Sequence, residues 1–234
     1  MHDPRRLLAA LLAITAIVLG FTTAGPLHAK RPAPPPGEVD GARFRLDAAT
    51  AKLDGAQLLT PAERAATFRF APSAPADRAA FLGAVAAARP QARRLIGLVD
   101  GLVTVRFGPA GGDSTLGTAA EAPDGYDVTI DLGRVAVRYG QRGIDRVVLH
   151  ELGHVVDFAL LPDELTTALD SGIPQGWGCD QGRTGACANR EERFAETFAK
   201  WATGDIGVDL YVGYKVPPPP SLDVWGAPLA RFGA

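Results

Sequence analysis

Residues 147 to 157 read VVLHELGHVVD. With its flanks, the stretch predicts a strongly apolar helix from Gly143 to Leu161, stopped by Pro162. A helix this apolar needs other elements packed around it. The chain can supply them: it has 234 residues, 47% of them hydrophobic and 21% charged, which suits one globular domain with a sizeable core. Within the apolar run stand two histidines four apart, and a glutamate directly follows the first. What those three polar groups do there depends on what the rest of the chain brings to them.

Along the chain, MHDPRRLLAALLAITAIVLGFTTAGPLHAK opens with Arg5 and Arg6, an apolar run from Leu7 to Phe21, and then small residues. This is the layout of a secretory signal peptide over residues 1–29, with cleavage after Ala29 or, as the alternative, Ala24. If uncleaved, it would be an anchor and the chain's one association with a membrane. The expected location is therefore secreted or otherwise extracytoplasmic. Residues 30–40 are proline-rich and read as a semi-rigid spacer. Residues 41–234 read as a single α+β domain, with a helical portion over about 41–100 and a core over about 101–215. Thr60 and Pro61 mark a helix start. APADRAAFLGAVAAARPQARRLIGLVDG has a helical pattern that Pro90 should break. LVTVRFG and YDVTIDLG are short, β-branched and bounded by glycine, so both predict strands; PAGGDSTLGTAAEAPDG between them reads as a loop. A loop-rich segment then leads to a second amphipathic helix starting near Asn189. The net charge of −2, with no concentrated basic run past the N-terminus, argues against a nucleic-acid partner. The two cysteines, Cys179 and Cys187, eight apart in an exported chain, predict one disulfide closing a short loop.

On a helix, positions i and i+4 share a face, so His150 and His154 project side by side, close enough to hold one ion. Glu151 is turned away by about 100°, a rotation that lets its carboxylate reach a metal-bound water without ligating the metal. That is the logic of H-E-x-x-H in zinc peptidases: two ligands and a general base. The other two histidines of the chain, His2 and His28, both fall in the leader, so the mature domain keeps only the pair in the motif. A catalytic zinc takes three protein ligands. Position 160 is leucine, so the third ligand is not a histidine six residues on. A carboxylate, or one of the cysteines, has to serve.

NREERFAETFAKW offers the carboxylate. On a helix Glu192, Ala195, Glu196 and Ala199 form one face, Phe194, Phe198 and Trp201 roughly the opposite one, and Arg193, Thr197 and Lys200 a polar strip between. Glutamates on a face that alanines allow to pack closely need a positive partner. Glu192 fits as third ligand and Glu196 as acceptor from the free ring N–H of a ligand histidine. Glu191 competes with Glu192 but is rotated about 100° off the face. Asp157, seven after His150, returns to the ligand face, where it either orients a ligand or caps a neighbouring turn.

HELGH followed by ERFAETFA some forty residues later resembles the gluzincin zinc metallopeptidases, and E-x-x-A-x-x-F-A is similar to the form found in lethal-factor-like minimal metallopeptidase domains. The resemblance spans about residues 125–203. It implies a zincin-like core with a small sheet, an active-site helix, and a strand, here YDVTIDLG, that pairs with an extended peptide or protein substrate. It implies Zn2+ held by His150, His154 and Glu192, with Glu151 as base and Glu196 behind the ligands. Such enzymes often add a tyrosine or histidine that stabilises the reacting carbonyl; with no histidine left, Tyr126, Tyr139, Tyr211, Tyr214 and Arg183 are the candidates. Two other readings stand beside this one: a zinc-binding secreted or surface domain without turnover, and a metal-free structural helical domain.

Overall fold

The computed structural model describes residues 67–112, 114–176, 187–207, 210 and 215–232. The expected leader, the spacer and the helix start at Thr60 lie outside the described residues. The chain is α+β. Its strands are β1 (Arg69–Phe70), β2 (Val103–Phe107), β3 (Gly117–Ala122) and β4 (Gly125–Ile130). Its helices are α1 (Pro75–Ala87), α2 (Pro90–Val99), α3 (Leu132–Leu160), α4 (Asp163–Ser171), α5 (Arg190–Thr203) and α6 (Leu222–Arg231). Among the described residues no helix is long and apolar enough to cross a membrane.

The helix boundaries follow local chemistry. Pro75 and Pro90 each sit at the start of a helix, where the missing N–H costs nothing. Pro90 forces Arg89 into an extended conformation, so the alanine-rich stretch is two helices. The portion expected to be helical thus also contributes a strand, β1, which joins the sheet.

The sheet order is β1-β2-β4-β3, with β1, β2 and β4 parallel and β3 antiparallel to β4. This corrects two expectations. The segment read as a loop contains β3, paired with β4 from Gly117↔Ile130 to Ala122↔Gly125 around a two-residue connection. YDVTIDLG is an interior strand with β2 on one side and β3 on the other, so its edges are taken; the free edge next to α3 is β3. At the hairpin corner Gly125 has φ +133°, and a Cβ there would collide with the carbonyl oxygen of Leu102, so only glycine fits. Alternate residues Val103, Val105, Val128 and Ile130 are fully buried on one face, the period-2 pattern of a one-sided sheet.

Helix α3 begins eleven residues before the expected start, capped by Asp131, whose Oδ1 accepts from the Arg134 backbone N–H at 3.0 Å. Gly140, at φ 63° and ψ −157°, breaks it, and the motif lies on the part beyond the break. This part is enclosed: it packs most extensively against α5, with α1, α2 and β3 around it. Asn189 caps α5, accepting from the Glu192 N–H at 2.9 Å, and Gly204 ends it in the left-handed conformation. The aromatic face of α5 is sunk in the core, with Phe194, Phe198 and Trp201 almost fully buried and Trp225 of α6 packed against Phe194 at a tilt and against Trp201 edge-on. Arg193, Thr197 and Lys200, expected as a polar strip, are buried too.

Candidate metal centre

Helices α3 and α5 run in opposite directions, and each carries a ladder of polar residues four apart. On α3 the rungs are Arg146, His150 and His154; on α5 they are Glu192, Glu196 and Lys200. Residues at this spacing stack on one face, so the two ladders meet rung against rung. His150 Nε2 lies 3.1 Å from Glu192 Oε2, and His154 Nε2 lies 3.6 Å from Glu192 Oε1. His150 Nδ1 lies 3.3 Å from Glu196 Oε2. The other oxygen of Glu196 is taken by two cations, Arg146 Nη1 at 3.2 Å and Lys200 Nζ at 3.0 Å. Arg146 also donates to the Asp205 carbonyl, and Lys200 to that of Val216, so neither buried cation lacks an acceptor.

One ligating atom from each of His150, His154 and Glu192 falls within 4.8 Å of the others. Ligands bound to a tetrahedral zinc at 2.0–2.2 Å stand roughly 3.4 Å apart, and the two imidazoles lie 3.1 and 3.6 Å from the two oxygens of Glu192, a spacing of that order. The donor set, two imidazoles and a carboxylate, is also the type zinc takes. Several buried polar side-chain atoms of α3 and α5 have no hydrogen-bond partner, and Glu151 Oε2, beside the ligand cluster, is one of them. Buried groups are rarely left so. The residues fit the ion.

The electrostatics are those of a site that holds positive charge among carboxylates. Burial works against the charged form of His150, but hydrogen bonds with Glu192 and Glu196 outweigh it and raise its pKa to about 10 in the metal-free protein. Burial would raise Glu192, yet its hydrogen bonds to the two histidines hold it well below the usual carboxylate range. Glu196 is likewise pushed up by burial and pulled down further by His150, Lys200 and Arg146. Glu151 differs: burial raises it, and the nearby histidine charges only partly offset that.

Around this centre, Asp157 pairs with an arginine of the neighbouring helix. It forms a two-pronged ion pair with Arg190, the first residue of α5, at 3.0 and 2.9 Å, and so ties the helix carrying Glu192 to α3. Glu191 stands 3.6 Å from the same Arg190 and outside the ligand cluster. Tyr126 stacks on Phe158, which stacks on His154; Tyr139 lies under the Arg138 guanidinium. Tyr211, Tyr214 and Arg183 lie outside the described residues. So does Cys179, half of the expected disulfide; Cys187 is described, two residues before the Asn189 cap.

Sequence reasoning missed Arg146 and Lys200. Both had a signal: each extends the i, i+4 ladder of its helix by one rung. The chain matches no protein-family model, no curated protein and no solved structure with which it was compared.

Proposed function

We propose that the chain is an exported zinc-dependent endopeptidase of zincin-like architecture. The observation that carries this reading is the convergence of His150, His154 and Glu192 at zinc-ligand spacing, with the carboxylate of Glu151 buried alongside. Zinc bound there would polarise the scissile carbonyl and acidify the attacking water.

The chain's own groups do the rest. Glu151 accepts the proton of the attacking water and passes it to the leaving amine. Glu196 accepts from Nδ1–H of His150, which fixes the tautomer and leaves Nε2 as the donor toward the metal. The free edge of β3 runs beside α3 and suits main-chain pairing with an extended peptide.

Replacing Glu151 with Gln keeps the shape and removes the base. Hydrolysis of a proteome-derived peptide mixture should fall by about 10²–10⁴-fold while the zinc content of the purified protein is unchanged. Equal turnover by parent and variant contradicts the mechanism. Zinc bound with no hydrolysis by the parent supports a binding domain instead.

A further inference from the structure

The free edge strand β3 begins at Gly117, and Gly117 faces the base. A Cβ at this position would overlap Oε1 of Glu151 and stand 2.8 Å from both its Cγ and its Cδ. Carbon atoms do not approach so closely, so the carboxylate of Glu151 lies where a side chain at 117 would be. The reason for glycine here is space, since its φ lies outside the region that disfavours other residues.

Which partner yields to a side chain at 117 follows from how each is held. The strand is fixed on both flanks. Gly117 is paired with Ile130, the Leu116 carbonyl accepts from the Asp131 N–H at 2.9 Å, and the Leu116 side chain is buried. The Glu151 carboxylate ends a flexible side chain, and its Oε2 has no hydrogen-bond partner. A new methyl group at 117 would therefore swing the carboxylate aside and leave the strand in place.

We infer that Gly117 is a positioning residue for Glu151: the absence of a side chain at 117 forms the slot that keeps the base at the metal centre and under the free edge of the sheet. The inference rests on the reading of Glu151 as base, but the slot itself is a property of the fold and has its own test. The three atoms nearest to a Cβ at 117 all belong to Glu151, so the slot bears first on the base.

The test is Gly117→Ala made in the parent and in a Glu151→Ala background, with Gly83→Ala as control, because a Cβ at Gly83 would meet nothing within 4 Å. Thermal unfolding of the metal-free proteins should show Gly117→Ala lowering Tm in the parent and leaving it unchanged where residue 151 is alanine. An equal drop in both backgrounds, or failure to fold in both, overturns the inference. Failure to fold in the parent alone supports it. In the zinc-loaded protein, Gly117→Ala should lower kcat about 10²-fold or more, as expected for loss of a general base, with zinc affinity and KM within about 2-fold of the parent. An unchanged kcat in a parent that does hydrolyse peptides also overturns the inference. If the parent binds no zinc or cleaves nothing, the proposed function fails, while the stability comparison still decides whether the slot exists.

Discussion

Glu196 carries more partners than any other carboxylate of the site: His150 on one oxygen, Arg146 and Lys200 on the other, all of them at most half-exposed. Burying three charges is costly, and it is tolerable only because each is matched. Removing the carboxylate leaves Arg146 and Lys200 as uncompensated cations in the core. Glu196→Ala should therefore destabilise the metal-free protein by about 3–5 kcal/mol, read from a denaturant midpoint. Glu196→Gln keeps an acceptor for His150, and its main effect should be a loss of zinc affinity of about 10–100-fold, read by competition with a chelator. If both variants match the parent, the ladder is ornamental. At this scale much was legible in advance. The histidine pair and the glutamate face follow from spacing alone, because a helix converts i, i+4 into adjacency. The Arg146 and Lys200 rungs were not read, because cations look like solvated surface until a partner helix is known to cover them. Asp157 shows the same limit: its place on the face was readable, but its partner Arg190 lies on another helix.

Between elements, the contact that brings the ladders together is α3 against α5. A Cβ at Gly153 would come within 3.1 Å of Ala195 Cα and of Phe198 Cδ1, so the two backbones approach closely between the two histidines' turn and the Glu192–Glu196 turn. Gly153→Val gains a few tenths of a kcal/mol in helix propensity but overpacks this contact, at about 1–3 kcal/mol. Overpacking wins, and it pushes Glu192 away from the histidines. The expected outcome is a lower denaturant midpoint together with weakened zinc binding; a variant with parental values for both would mean that the helix spacing does not set the site. The helices themselves were readable, since proline, Asn189 and the apolar period mark them. The sheet was less so. Strand β3, GTAAEA, has alanine where strands favour β-branched residues, and glycines on its flank, so its pairing with β4 depends on a partner the local sequence does not reveal. That one omission also made β4 look like an edge.

Across the whole molecule, the break at Gly140 and the end of α5 are joined by Arg142 and Asp205, whose two hydrogen bonds measure 2.6 and 2.9 Å. The Arg142 hydrogen bond holds the Asp205 carboxyl below its usual range, and the slight burial of the group opposes this only weakly. The folded pKa is thus lower than the unfolded one. The pair's contribution is present above the unfolded value of about 3.9 and is lost as pH falls through the folded value. The pair is partly exposed, so the effect is small. The Tm difference between parent and Asp205→Asn should be constant from neutral pH to about pH 5 and shrink below about pH 4. A difference that persists unchanged into strong acid would mean that the carboxylate's charge is not what matters. The central claim is that α3 and α5 together form one zinc site closed by a glutamate. Calorimetric titration of the metal-free chain with zinc tests it most directly, with Glu192→Ala alongside. The account predicts saturation at one zinc per chain for the parent and a large loss of affinity for the variant. No saturable binding by the parent, or equal binding by both, would contradict it.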